Sequence, residues 1–245
     1  MSRIVLKLCY RGTHYKGWQV QSNAVSVQST VQDAIEYIFG TRYGITGCSR
    51  TDSGVHANEF ICHLDSEAVF GEIQRLPLAL NTKLPKDIAV LDAFYANDDF
   101  HSRYSAKGKE YQYIIHNSCI RNPFLNGFAF RYFPLLDVDE LNEKALALVG
   151  EHDFTAFAGK KVNIEDTIRN IWYCKAVRDG DIIRINIAAD GFLYNMVRII
   201  VGTLLWDLAG RLKYEIPAII DSKDRKNAGM TAPAHGLYLN KVFYS

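Results

Sequence analysis

Gly47-Cys48-Ser49-Arg50-Thr51-Asp52-Ser53-Gly54-Val55-His56-Ala57 is the stretch around which the rest of the chain is ordered. It lies between two strand-like runs, 42–48 and 58–64, so a loop crowded with Arg50, Thr51, Asp52, Ser53 and His56 is held between extended segments. Loops held by a rigid scaffold are common places for catalytic groups. Asp, Ser and Gly are also ordinary turn residues, and composition leaves a tight hairpin and an active-site loop as equal readings.

Toward the N-terminus, Ile4, Leu6, Leu8 and Tyr10 alternate on one face of a strand. Ser26 then caps a helix whose apolar stripe is Val27, Val31, Ala34, Ile35 and Ile38, and Gly40 ends it. Beyond the loop, the pattern predicts a helix over 69–80, with Pro77 disturbing its C-terminal part, and a strand over 88–95. This order, βαββαβ, is the ferredoxin-like arrangement.

The pattern then repeats without an alignable sequence repeat. A strand over 109–116 is followed by Asp137, which stands three before Glu140 as a capping box and opens a helix through Leu141, Ala145 and Leu148 to Gly150. A long connection with Phe154, Phe157, Lys160 and Lys161 leads to a hairpin over 170–188, where Asp179-Gly180 signals a type I′ turn. A helix over 192–208 ending at Gly210, a short one over 215–220 and a strand over 237–243 complete the second βαββαβ. The expectation is an α+β protein of two ferredoxin-like halves, 1–103 and 104–245, whose antiparallel sheets face a central cleft that binds the ligand. No Gly-rich linker marks the change near 98–109, which predicts an extensive interface between the halves.

The 245 residues are 48% hydrophobic, enough for a large core. The longest apolar candidate for a membrane span, 192–208, is interrupted by Asn195, Arg198, Thr203 and Asp207. The N-terminus runs directly into a strand pattern with no signal-peptide signature. Five scattered cysteines, an odd number without a Cys-x-x-Cys pair, suit reduced thiols in a cytoplasm and argue against a zinc site built on Cys48, His56, Cys62 and His63. The formal net charge is only +1, yet residues 1–50 carry six Lys/Arg against two Asp/Glu, while 51–100 carry three against nine. Arg3, Lys7, Arg11, Lys16, Arg42 and Arg50 are interleaved with Tyr10, Tyr15, Trp18 and Tyr43, the mixture that RNA sites use for phosphates and base stacking. A solvated charged face gives the same pattern.

Arg50-Thr51-Asp52-Ser53-Gly54-Val55-His56-Ala57 resembles the signature of the tRNA pseudouridine synthase A family, and further motifs match in order: Tyr10-Arg11-Gly12-Thr13 with Gly17-Trp18-Gln19, Phe100-His101-Ser102-Arg103 with Tyr111, Asp153-Phe154, Phe192-Leu193-Tyr194-Asn195-Met196-Val197-Arg198, and Ala232-Pro233-Ala234-His235-Gly236-Leu237-Tyr238-Leu239. Asn81, Leu84-Pro85 and Asp87-Ile88 also match. The resemblance implies a cofactor-free, cytoplasmic homodimer that isomerises uridine to pseudouridine at positions 38 to 40 of the tRNA anticodon stem-loop, and it places the family's catalytic aspartate on Asp52. A carboxylate can attack the sugar, attack the base or help remove a sugar proton while the C1′–N1 bond is exchanged for one to C5. The resemblance further implies Arg198 as partner of Asp52, Tyr111 as the active-site tyrosine, Arg103 as the residue associated with unstacking the target base, and Arg50 with His56, Lys16 and Arg11 on the RNA-binding side. His56 is expected to order the loop rather than transfer protons. Arg11 stands where the family usually has an acidic residue, and Ser53 where a small apolar one is frequent.

Two other readings compete. Tandem ferredoxin-like halves also describe a non-catalytic pair of RNA-recognition modules, but no Lys/Arg-Gly-Phe/Tyr-Gly/Ala-Phe-Val run is present, and a carboxylate facing RNA phosphates has no use in a simple binder. A hydrolase using Ser49 or Ser53 with His56 lacks a Gly-x-Ser-x-Gly elbow.

Overall fold

The computed structural model describes residues 2–67, 70–159 and 166–244. They form two compact units, Met1–Lys107 with Tyr238–Ser245, and Gly108–Leu237. Val69, where a helix was expected to begin, and Lys160 and Lys161 lie outside the described residues.

In the first unit β1 (Ser2–Tyr10) buries Ile4, Leu6, Leu8 and Tyr10 as the alternation predicts, and Val5 on the opposite face is buried too. In α1 (Val27–Phe39) the Ser26 hydroxyl accepts from Ser29 N–H at 3.1 Å, and Gly40 closes the helix at φ 72°. β2 is only Thr46–Gly47, not the whole of 42–48. Ahead of it the chain is tied to α1 instead: Gln32 donates to the Tyr43 carbonyl and Gln28 to the Ile45 carbonyl, each at 2.9 Å. β3 runs His56–Ser66, so His56 is the first residue of a strand. α2 (Leu76–Asn81) follows a 3₁₀ turn at Ile73–Arg75, with Pro77 in its first turn. There the missing N–H has no helical acceptor to lose, so Pro77 opens the helix instead of disturbing its end. β4 (Ile88–Ala96) completes an antiparallel order β4-β1-β3-β2.

The second unit begins with β5 (Gly108–His116) and the short parallel β6 (Phe130–Arg131). Asp137 caps α3 (Val138–Ala145) by accepting from Asp139 and Glu140 N–H. The helix does not reach Gly150: it tightens into a 3₁₀ turn at Leu146–Leu148, and Gly150 at φ 106° starts an unforeseen strand, β7 (Gly150–Asp153). β8 (Ile168–Asp179) and β9 (Ile182–Ala189) form the expected hairpin. Asp179 pairs with Ile182, so the central turn residues are Gly180 and Asp181, and of these only Gly180 has a positive φ, 56°. A glycine at the first central position fits a type II′ turn rather than type I′. The sheet order β5-β9-β8-β7 is antiparallel, and α4 (Met196–Leu208) and α5 (Ile216–Ser222) supply most of the helical core. α4 starts four residues later than expected because Asn195 takes a left-handed backbone. β10 (Leu237–Phe243), expected to close the second half, belongs from Tyr238 onward to the first unit, where it pairs parallel with β3 through Tyr238–His56 and Leu239–Ala57. No helix among the described residues is long and apolar enough to cross a membrane.

Candidate active site

Residues 48–55 form the loop between β2 and β3, and the segment Gly12–Gln19 is locked against it. Trp18 N–H donates to the Thr51 carbonyl at 3.1 Å, and the Tyr10 hydroxyl is 2.8 Å from that of Thr51. Gly54 N–H and the Ser53 hydroxyl both reach the Tyr15 carbonyl, at 3.4 and 3.3 Å. A Cβ on Gly12 would lie 1.9 Å from the Val55 oxygen, and one on Gly17 2.4 Å from the Thr51 oxygen, so the two backbones touch where only glycine fits. Below them Trp18 stacks on Phe60 at 4.0 Å. Asp52 is thereby carried, half-buried, on a loop with little freedom; its own carbonyl accepts Val55 N–H at 3.1 Å.

His56, expected on the RNA-binding side and as a residue that orders the loop, is turned into the protein. It is 1% exposed, its Nδ1 accepts Gly12 N–H at 3.0 Å, and its ring stacks on Tyr238 at 4.6 Å. The ring is thus engaged on one edge by Gly12 and on one face by Tyr238. Arg50 and Lys16 are exposed, whereas Arg11 is half-buried with Nε donating to Thr13 at 3.1 Å. Arg11 N–H and the Tyr15 hydroxyl both bond Asp87, at 2.8 and 2.7 Å, and burial together with Asp87 pushes the Tyr15 phenol up.

Arg103, also exposed, sits on a separate turn of the same unit. His101 Nδ1 accepts the N–H of Arg103 and Tyr104, at 3.1 and 3.2 Å. Buried Ser102 is bound through its hydroxyl to Nδ1 of His63 at 2.8 Å, and Arg3 links Asp65 to the carbonyls of Asp98 and Phe100. Burial, with Arg3 and His101 adding to it, lowers the His63 pKa to about 4.

In the second unit Tyr111 stands on β5 opposite Ile187, 8% exposed, its ring edge-on to Phe192 at 5.1 Å. Arg198 projects from the first turn of α4. Its Nε donates to the Ala232 carbonyl at 2.7 Å and Nη1 to the Asn195 side chain at 2.8 Å. It is therefore a fixed guanidinium and not one reaching for solvent. The segment that supplies Ala232 is itself pinned: Gly229 N–H bonds Thr203 Oγ1 at 2.9 Å and Pro233 C=O accepts from Tyr113 at 2.8 Å. Asn195, Thr203 and Ala232 stand in the apolar run or the matching motifs, but the sequence gives none of them as a site residue. Only Asn195 offered a signal, an Asn just ahead of an apolar run, where a helix boundary is common.

The full sequence is 42% identical over 245 residues to a tRNA pseudouridine synthase A of Thermoanaerobacter sp. (strain X514), covering 100% of both chains. The chain belongs to the tRNA pseudouridine synthase A family. A relative of the same name from Ruminiclostridium cellulolyticum is 42% identical over 247 residues, again with 100% of both chains covered, and one from Halalkalibacterium halodurans is 43% identical over 239 residues, 97% of this chain and 90% of that one. The profile of a family described as "tRNA pseudouridine synthase" matches residues 145–245, the part that holds Arg198 and the Ala232 segment. Among solved structures, one chain titled as a Cbf5-Nop10-Gar1 complex superposes over 96% of this chain and 57% of its own, with a TM-score of 0.41 and 9% identity. Family membership makes the chain an isomerase of the pseudouridine synthase type.

Proposed function

We propose that the protein converts uridine to pseudouridine at positions 38 to 40 of the tRNA anticodon stem-loop, with Asp52 as the carboxylate nucleophile and no cofactor. The observation that carries this reading is Asp52 itself: it lies within the family's signature on a loop locked by Gly12, Gly17 and Thr51. Rigid placement is what a nucleophile requires, since small misplacements of reacting groups cost large factors in rate.

In this reading the halves 1–103 and 104–245 are ferredoxin-like and face a cleft that takes the RNA. The second half contributes Arg198, which pairs with Asp52 and favours its ionised form, and Tyr111, which stacks on the target base. A uridine in a paired stem must leave the stack before it can react, and Arg103 assists that step while Arg50, Lys16 and Arg11 hold backbone phosphates. The enzyme works as a cytoplasmic homodimer.

The test is incubation with unmodified tRNA followed by mapping of pseudouridine, with Asp52→Asn as control. Product from wild type and none from the variant is the expected result. Product from Asp52→Asn at the normal rate would remove Asp52 from the chemistry, and tight tRNA binding with no modified uridine would favour a pair of non-catalytic RNA-recognition modules.

A further inference from the structure

Asn195 immediately precedes α4, with its backbone at φ 61° and ψ 5°. Among residues with a side chain, Asn and Asp are the ones that visit this left-handed region routinely. An Asn before a helix normally accepts a hydrogen bond from an N–H of the first turn, because those donors have no helical partner. Asn195 makes no such cap. Its Oδ1 instead accepts from Nη1 of Arg198 at 2.8 Å, while Nε of the same guanidinium donates to the Ala232 carbonyl at 2.7 Å.

Two acceptors on different edges of a planar fork fix both its direction and its rotation. Each acceptor is held in turn. Ala232 N–H returns a bond to the Arg198 carbonyl at 3.0 Å, and the adjoining Met230 carbonyl sits where a Cβ on Gly202 would come within 1.8 Å. On the other side, Gly159 N–H bonds the Tyr194 carbonyl at 2.8 Å, and a Cβ on Gly159 would lie 2.6 Å from the Tyr194 ring and 3.2 Å from Nδ2 of Asn195. The amide is therefore backed by packed chain.

We propose that Asn195 is a positioning residue for Arg198, leaving α4 uncapped by its side chain in order to set the plane of the guanidinium that meets Asp52. The inference rests on the reading of Arg198 as partner of Asp52.

Asn195→Gly tests it, because glycine accepts the left-handed backbone and removes only the amide. Expected are a fall in kcat for pseudouridine formation of about tenfold to a hundredfold, a tRNA Kd within about threefold of wild type, and a protein still folded at the assay temperature. Asn195→Asp keeps the backbone tolerance and an acceptor of the same reach, and is expected to recover part of the lost rate. Turnover of Asn195→Gly at the wild-type rate, alongside loss of turnover in Arg198→Ala, would overturn the proposal and leave the role of Arg198 standing. Normal turnover of Arg198→Ala would instead remove the underlying reading, and the proposal with it. A tRNA Kd weakened as much as kcat falls, or an Asp variant no faster than the Gly variant, would also overturn it.

Discussion

Nδ1 of His56 accepts the backbone N–H of Gly12 at 3.0 Å, joining the start of β3 to the segment that backs the Asp52 loop. Gly12 N–H is buried and loses a partner if the imidazole is removed, a loss of about 1–3 kcal/mol, and the space left beside Tyr238 adds a cavity cost. We expect His56→Ala to lose about 3 kcal/mol in urea denaturation and most turnover. His56→Asn, whose Oδ1 can stand in for Nδ1, should recover turnover to within about tenfold of wild type. A stable but inactive Asn variant would mean that the ring does more than order the loop.

Gly17 at φ 87° has the Thr51 oxygen 2.4 Å and the Asp52 carbonyl carbon 3.2 Å from where a Cβ would sit. Gly17→Ala combines left-handed strain with overpacking against backbone that cannot rotate away, about 2–4 kcal/mol in all. Gly44→Ala meets no atom within 4 Å at an unstrained backbone and serves as the neutral control. Equal denaturation midpoints for the two variants would show that the interlock is softer than its contacts suggest.

What the sequence made readable divides by distance along the chain. Ser26, Gly40 and Asp137 act on neighbours within a few residues, and their helix boundaries followed from local chemistry. β2 is shorter than the pattern predicts, and the residues ahead of it are held to α1 by Gln28 and Gln32, whose side chains take the carbonyls of Ile45 and Tyr43. Nothing local to 42–48 announces that. The same holds at the site: the crowding of residues 50–56 was visible, but that His56 turns inward onto Gly12 and Tyr238 is a tertiary fact. Arg198 and Tyr111 entered through resemblance. The clamp on Arg198 comes from Ala232, thirty-four residues away, by a backbone carbonyl that no pattern of side chains encodes.

Arg50 and Lys16 are exposed on the two interlocked segments, which suits them to phosphates. Each contact that neutralises a phosphate releases a counterion, so each of Arg50→Ala and Lys16→Ala should flatten the slope of log K against log salt by about 0.7–0.9. Binding of tRNA measured by filter retention between low and moderate salt would read this directly. His56→Asn, with its side chain buried, should leave the slope unchanged. A wild-type slope in Arg50→Ala would place its guanidinium away from the RNA backbone.

His63 provides the pH dependence. It is 5% exposed, its Nδ1 accepts Ser102 N–H at 3.2 Å, and the charged groups facing it are Arg3, His101 and Asp65. Burial, followed by Arg3 and His101, depresses its pKa from 6.5 to about 4, with Asp65 opposing. The unfolded chain therefore takes up a proton near pH 6.5 that the folded chain refuses until about pH 4. Stability rises with pH wherever the unfolded state binds more protons. The contribution is thus fully present above pH 6.5, declines as pH falls through the window to about 4, and is flat below. Its size is about 3 kcal/mol. His63→Asn keeps an acceptor for Ser102 but cannot titrate, so its unfolding free energy should fall less steeply than that of wild type between pH 6.5 and 4. Since Ser102 and His101 carry the turn that presents Arg103 and the folded chain takes up the proton only near pH 4, tRNA modification by wild type should be lost through this turn only as pH approaches 4, and parallel stability profiles for the two proteins would remove His63 as the source of the pH dependence.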